Sequence, residues 1–467
     1  MGFTNFCCRS GGSNLNAGTR TGDTTEPGTA AAFTYASGNS DGTSLFTAPG
    51  GSNPQTDGVA VGDWGSVYLT AATVAVFIGR VTAVSTTTIT FSTTNKSGTF
   101  PVSGTGTVTC KIGGAWAGPT GATTFPISFM TNTAINGSAQ PVRINMKSDQ
   151  TYTRTSAMSG PTAAVNVEGY TTSYGDGGFA TLTSSSPIVI LTMNAGGKVK
   201  HLKISSTTGT GTSANVVMNT SSATLERCEV TGARGNGITI TATVNVIGCE
   251  VYNCNIANTA GAGGISAGGT GAHIADCFVH DNAGVNNCGF QVSAPTRIIR
   301  CVSESNGLAG LRCAAFGVLL IENCDFYNNA GDGINFNAVT GYAIVRNCNF
   351  IKNGGWGING TNLAYTLDII NCAFGAGTMA NTSGQTTGNA INAVGIITYP
   401  TDFNPYCDSL NGNFTLKALE YLDAGYNNFV QRAASYAGST QELPIGAVPP
   451  ARGGFLNKGG FLVGGAM

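Results

Sequence analysis

Charge is the scarcest resource in this sequence: 10% of its 467 residues are Asp, Glu, Lys or Arg, against about a quarter in ordinary globular domains. The 22 basic and 23 acidic side chains balance and never cluster. That excludes the electrostatic footprint of a nucleic-acid binder or of a protein attracted to anionic membrane. Histidine occurs only three times, and no Ser/His/Asp arrangement, phosphate loop or zincin motif is present. No apolar run approaches the length that spans a bilayer. The chain opens Met1-Gly2-Phe3-Thr4-Asn5-Phe6, without a basic segment leading into an apolar one, and Phe6 breaks the myristoylation pattern. These absences set the expectation of a protein that reaches the outside without a signal peptide, as part of a virus particle does.

What the sequence does have is 68 Gly and 41% hydrophobic residues, a balance opposite to that of disordered chains. Abundant Gly, Ser, Thr and Asn with few helix formers predicts β-structure with tight turns. The length calls for more than one unit. Weakly charged surfaces near neutrality associate readily, so an assembled state is expected.

A repeat organises the middle of the chain. Seven segments align on a cysteine: Leu225-Glu-Arg-Cys228-Glu-Val230, Val246-Ile-Gly-Cys249-Glu-Val251, Ile274-Ala-Asp-Cys277-Phe-Val279, Ile298-Ile-Arg-Cys301-Val-Ser303, Ile321-Glu-Asn-Cys324-Asp-Phe326, Val345-Arg-Asn-Cys348-Asn-Phe350 and Ile369-Ile-Asn-Cys372-Ala-Phe374. Successive cysteines lie 21, 28, 24, 23, 24 and 24 residues apart, and Val199-Lys-His-Leu202-Lys-Ile204 is an eighth copy with Leu for Cys. Apolar residues stand three before the cysteine, at it, and two after it. In an unbroken strand inward positions share one parity, so the change of parity demands a bend. Asn323, Asn347 and Asn371 precede their cysteines, and Asn tolerates the left-handed conformation of a tight bend. A second mark, Gly237-Ile238, Gly264-Ile265, Gly289-Phe290, Gly310-Leu311, Gly333-Ile334 and Gly357-Ile358, with a looser Asn389-Ala390-Ile391, predicts a third strand per coil. The stretches after Cys249, Cys277 and Cys372 hold loop insertions.

This pattern resembles the right-handed parallel β-helix superfamily, the pectate-lyase-like proteins. The likeness is clear over about residues 198–395 and extends back toward Ile144 through Val165-Asn-Val167 and Ile188-Val-Ile190. The expected fold is all-β: a right-handed single-stranded parallel β-helix with an N-terminal β-rich domain and a C-terminal cap and tail. The expected divisions are an arm over 1–58, a small antiparallel β-domain over 59–143, the β-helix over 144–398, and a cap with a Gly-rich assembly tail over 399–467. The repeat specifies fold far better than function, because enzymes, adhesins and viral spikes share it.

Cys228, Cys249, Cys277, Cys301, Cys324, Cys348 and Cys372 are expected to occupy one inward column, about 4.8 Å from rung to rung, as small hydrophobes. Disulfides between some adjacent coils stay open, since stacked Cα atoms fall near the permitted separation. No CxxC pair faces another, so neither a metal nor a cofactor is expected.

In the lyases and hydrolases that the repeat resembles, catalysis sits on the outer face of one sheet and needs carboxylates flanked by Arg, Lys or His. The outward residues after each Gly-apolar mark are Thr239, Ser266, Gln291, Arg312, Asn335, Asn359 and Asn392: one Arg and no carboxylate. The groups that acid–base chemistry requires are missing there. The weak catalytic candidates lie elsewhere: Asp332 before Gly333, Asp281 beside His280, and Glu250, which shares a column with Glu229. Adjacent residues on a turn generally point apart, and Glu229 and Glu250 are expected to be solvated strand residues. His201 and His273 are read as lacking partners. Asn282, Asn306, Asn329 and Asn353, five residues past their cysteines, are expected to form an amide ladder, with sugar binding by Asn and Tyr as the alternative.

Near the end, Leu416 to Ala437 holds the best helical stretch. The tail repeats Gly453-Gly-Phe455 and Gly459-Gly-Phe461-Leu462. Exposed Phe455, Phe461 and Leu462 are expected to dock on another subunit. The sequence therefore points to a structural or binding protein of an extracellular assembly, of the kind found on virion surfaces as tail spike, fibre or capsid decoration. The reading leans away from catalysis. Its expected partners are copies of itself (a trimer, the resemblance implies, if it is a spike), other subunits of a larger assembly and a surface glycan. The alternatives are a β-helix polysaccharide lyase or glycoside hydrolase, and a self-assembling filament or surface-layer subunit.

Overall fold

A computed structural model describes residues 4–13, 15, 17, 33–71, 77–101, 107–119, 142–160, 165–186, 188–193, 196–206, 211–260, 262–314, 317–337, 339–360 and 363–375. Beyond these it describes the strand segments 380–381, 391–394, 397–398, 406–408, 413–416, 455–457 and 461–463. All regular structure among them is β-strand. No helix is long and apolar enough to cross a membrane. The chain divides into two units: residues 1–186 with 190–203, and residues 187–189 with 204–467.

The first unit contains a closed six-stranded antiparallel barrel formed by Phe33–Ser40, Leu45–Thr47, Trp64–Leu69, Phe77–Val84, Thr88–Gly98 and Val108–Ile112. Closure leaves no open edge to recruit other chains. Its core gathers Tyr35, Phe46, Val67, Phe77, Phe91, Phe100 and Ile112, with Phe77 and Phe100 edge to face at 4.8 Å. The arm expected over 1–58 is replaced by two different things. Residues 33–47 supply two barrel strands, and Thr4–Cys8 pairs in parallel with Val142–Lys147 as an extra rung. The barrel is thus inserted within a coil rather than following an arm. Phe6 of that rung is fully buried, stacked 5.2 Å from Trp116 and edge-on to Trp64. Val142–Lys147, Val165–Tyr170 and Lys198–Lys200 continue the parallel pairing within this unit.

In the second unit each coil has three strands. Sheet A holds the strand before the repeat cysteine, from Thr224–Glu226 to Ile391–Val394; sheet B the strand after it, from Glu229–Thr231 to Ile397–Thr398; sheet C the strand of the Gly-apolar mark, from Val216–Met218 to Ala380–Asn381. All pairing between consecutive coils is parallel and in register: Leu225 lies on Val246, Val230 on Val251 and Ile238 on Ile265.

The bend required by the parity change is a single left-handed residue. Arg227, Gly248, Asp276, Arg300, Asn323, Asn347 and Asn371, each immediately before its cysteine, have φ between 50° and 62°. A second left-handed corner lies four residues after the cysteine, at Gly232, Asn253, Asp281, Ser305, Asn328 and Lys352. The glycine of the third-strand mark has a packing reason. A Cβ on Gly333 would sit 2.6 Å from the Gly357 carbonyl oxygen of the next coil and 2.6 Å from Phe350. Inward side chains are fully enclosed, and each buried Ile, Leu or Phe contributes ~1.5–3 kcal/mol. Phe326, Phe350 and Phe374 stack at 5.2 and 4.9 Å.

The amide ladder is present: Asn282 Nδ2 donates to Asn306 Oδ1, Asn306 to Asn329 and Asn329 to Asn353, each at 2.9 Å. It satisfies buried backbone N–H groups as well, since Asn306 N and Asn329 N donate to the same amide oxygens at 3.2 Å. The helix expected over 416–437 lies outside the described residues apart from Leu416, which ends the strand Asn413–Leu416. The tail segments Phe455–Asn457 and Phe461–Val463 pair as an antiparallel hairpin; the side chains of Phe455, Phe461 and Leu462, expected to dock on another subunit, lie outside what the structure describes.

Two substitutions separate corner from ladder. Asn347→Gly is expected to be nearly neutral, whereas Asn347→Val costs about 1–2 kcal/mol for forcing a β-branched residue left-handed. Asn329→Ala costs about 1–3 kcal/mol by leaving buried donors and acceptors unmet. Urea denaturation of the full chain measures all three; equal effects of Gly and Val at 347 would contradict the corner assignment.

Candidate functional site

Side chains that face outward from the coils form columns, and the three sheets carry different chemistry. On sheet C the register places Val217, Thr239, Ser266, Gln291, Arg312, Asn335, Asn359 and Asn381 in one column. Asn392, read from sequence as part of this row, pairs instead with Asp368 in sheet A. Asp332 does not stand open beside the column. Its Oδ2 accepts from Asn335 Nδ2 at 2.6 Å and Asn359 Nδ2 at 2.9 Å, and its Oδ1 from Trp356 N at 2.8 Å. One nearly buried carboxylate thus clamps two adjacent coils and fixes two amides of the column. Trp356, held by the same carboxylate, is 38% exposed beside them.

Sheet B carries the titratable groups. Glu229 pairs in register with Glu250, Tyr252 with His280, and His280 with Glu304. His280 Nε2 lies 3.1 Å from Glu250 Oε1 and its Nδ1 2.8 Å from Asp281 Oδ2. The ring is sandwiched between Phe278 at 4.0 Å and Tyr252 at 5.1 Å. Two of the weak candidates, Glu250 and Asp281, are therefore brought together by His280, and Asp332 is not part of the group. The expectation that His280 and Asp281 point apart is overturned. Asp281 is the left-handed corner residue, with φ 51°, and its carboxylate closes onto the preceding ring. Glu229 is not solvated either: it is buried and accepts a hydrogen bond from the Tyr252 hydroxyl.

Burial works against charge on His280, yet the hydrogen bonds with Asp281 and Glu250 outweigh it and raise its pKa to about 9. Burial drives Glu304, 8% exposed, up to about 7, with the charge of Asp281 adding to it and His280 opposing only in part. Glu304 and Tyr252 were missed in the sequence. The available signal was their position three past the cysteine, shared with His280.

In the first unit His201, read as unpartnered, has its Nδ1 3.4 Å from Glu168 Oε1, while Arg143 Nε lies 3.3 Å from Glu168 Oε2. Burial pushes the Glu168 carboxyl up, but His201 and Arg143 together hold it below the usual range. The repeat cysteines are buried free thiols. Cys301 Sγ accepts from Cys277 N, and Cys324 Sγ from Cys301 N, each at 3.5 Å. Burial raises the thiols of Cys277, Cys301 and Cys348 well above the ordinary value, which leaves them inert as nucleophiles. Among the described residues no cluster of His, Cys, Asp or Glu is arranged to hold a metal.

The acid–histidine cluster ties stability to pH. His280 and Glu304 both have folded pKa values above their unfolded ones. Their contribution is full at low pH and is lost as pH rises, through about 7 for Glu304 and about 9 for His280. Glu304→Gln is expected to stabilise the fold at pH 8, by up to about 3 kcal/mol, and to change little at pH 4. Thermal melts of both chains across that range measure it, and equal shifts at both pH values would count against a buried, raised carboxyl.

Residues 187–374 match the family model described as a right-handed β-helix region. No curated protein matches the sequence. Among solved structures the chain is similar to pectate lyase Pel9A at 16% identity, over 68% of this chain and 90% of that one, with a TM-score of 0.43. It is similar to the A-module of the mannuronan C-5 epimerase AlgE6 of Azotobacter vinelandii at 12% identity, over 58% and 94%, with a TM-score of 0.37. It is also similar to the tailspike protein gp49 from Pseudomonas phage LKA1 at 12% identity, over 80% and 64%, with a TM-score of 0.27. Coils, corners and family match agree that the fold over residues 187–374 is a right-handed parallel β-helix.

Proposed function

We propose that this protein is a structural, glycan-binding component of an extracellular assembly, of the virion-surface kind represented by spikes, fibres and capsid decorations. The observation that carries the binding part is the outer column of sheet C. Hydroxyl and amide groups of Thr239, Ser266, Gln291, Asn335 and Asn359 repeat at rung spacing with Arg312 among them. The Asp332 clamp fixes two of these amides before any ligand arrives, which lowers the ordering cost of binding. Trp356 offers an exposed aromatic face for the C–H side of a sugar ring. The column has no carboxylate to act as acid or base, and this supports binding without cleavage. A stiff solenoid with little charge and every coil hydrogen-bonded to the next suits a protein that must hold its shape outside a cell.

A second reading, polysaccharide cleavage, is favoured by one observation: Glu304, raised to about 7, lies one rung beyond His280, whose ring meets Asp281 and, from the rung before, Glu250. Glu250→Gln, Asp281→Asn and Glu304→Gln separate the two readings in a reducing-sugar assay. Cleavage by the wild type that all three abolish would favour the enzyme.

Titration of the full chain with acidic and neutral polysaccharides, followed by tryptophan fluorescence, tests the binding reading. Trp356→Ala is expected to weaken binding about three- to tenfold, equivalent to ~0.5–1.5 kcal/mol of stacking. Arg312→Gln is expected to weaken acidic glycans by about tenfold or more and spare neutral ones. If no glycan binds, the proposal fails. Electron microscopy of antibody-labelled particles tests the placement on a virion.

A further inference from the structure

The outer face of sheet A is used by neither reading. Its outward residues form three columns. One runs His273, Arg297, Leu320, Ile344, Asp368. Beside it run Ile299, Glu322, Arg346, Ile370, and on the other side Val318, Tyr342, Thr366. The centre of this face is apolar: Val318 is 56% exposed and Tyr342 36%, with half-buried Leu320 and Ile344 in the column beside them. Arg297 bounds the patch at one end and makes no ion pair among the described residues. Asp368, which accepts a hydrogen bond from the Tyr342 hydroxyl, bounds it at the other. A contiguous apolar patch with a charged rim marks a contact surface.

From this pattern we infer that sheet A packs face to face on sheet A of a second copy of the chain, with the solenoid axes antiparallel and a two-fold axis between the rungs of Leu320 and Ile344. Charge discriminates between the two possible dyads. A dyad along the strands sets each column against itself and reverses the rung order. Leu320 then meets the partner's Ile344, Val318 the partner's Tyr342, Arg297 the partner's Asp368, Glu322 the partner's Arg346, and Ile299 the partner's Ile370. Apolar faces apolar and each charge faces its opposite. Glu322 and Arg346, already 2.9 Å apart within one chain, become half of a four-charge ring.

A dyad along the solenoid axis keeps the rungs level instead. It sets Arg297 on the partner's Arg297 and Asp368 on the partner's Asp368, and like charges placed so disfavour that pairing. The four rungs that this dyad pairs hold four, five, eight and eight residues. At about 3.3 Å per residue and about 4.8 Å per rung they cover roughly 400 Å² on each partner. That is below the size of a stable interface, so the association is weak and transient, with dissociation at the upper end of the micromolar range.

The inference is independent of the glycan reading, which concerns a different sheet. Sedimentation velocity of the full chain across the micromolar range is expected to show a monomer–dimer equilibrium. Arg297→Asp and Asp368→Arg should each weaken it at least about tenfold with unchanged circular-dichroism melting. An equimolar mixture of the two variants should associate as tightly as the wild type, because each heterodimer regains both opposite-charge pairs. A monomer at all concentrations, a trimer such as the resemblance to spikes implies, or single variants that associate as well as the wild type would overturn the proposal.

Discussion

Two left-handed residues per coil are the constraint on which the rest of the structure depends. One immediately before the repeat cysteine and one four residues after it turn the chain between flat strands. Because these corners recur at the same place in the coils of Cys228 to Cys348, consecutive strands stay in parallel register. Side chains then stack in columns, inward and outward. The inward columns bury their apolar groups completely. The outward ones lay out chemistry at a fixed spacing, like a ruled surface.

Each sheet uses that surface differently. Sheet C presents neutral hydrogen-bonding groups, and its one nearby carboxylate, Asp332, is spent on holding two amides and a backbone N–H. Sheet B engages its acids: Glu229 is buried and held by Tyr252, while Glu250 and the exposed corner residue Asp281 flank His280. Sheet A sets opposite charges, Arg297 and Asp368, on either side of an apolar stretch of one column. A protein with so few charges places them where the register repeats, so that a handful of side chains defines three distinct faces.

The amide ladder shows how local and long-range demands meet. Asn329 and Asn353 each accept from both the side-chain amide and the backbone N–H of the asparagine in the preceding coil. An apolar residue there would leave those groups buried and unmet. The thiols fill the neighbouring space as small, deeply buried groups whose sulfur atoms accept from backbone N–H groups of the adjacent coil.

The repeat period, the parity change at Cys228 to Cys372, the asparagine corners and the amide ladder were all legible in the sequence. Each depends on residues within one coil and on the single rule that coils stack. The outward column Thr239 to Asn359 was legible for the same reason. The barrel strands at 33–47 were hidden in a Gly- and Thr-rich stretch whose partners lie far along the chain. The meeting of Glu250, His280 and Asp281 was hidden as well. It depends on which coil follows which across an insertion, and on a corner residue turning its carboxylate back onto its neighbour. Burial of Glu229 and Glu304, and with it the raised pKa of Glu304, is a property of surroundings that no local pattern encodes. The periodic part of this protein was thus written in its sequence, and the electrostatic part was decided only when folding removed those groups from water.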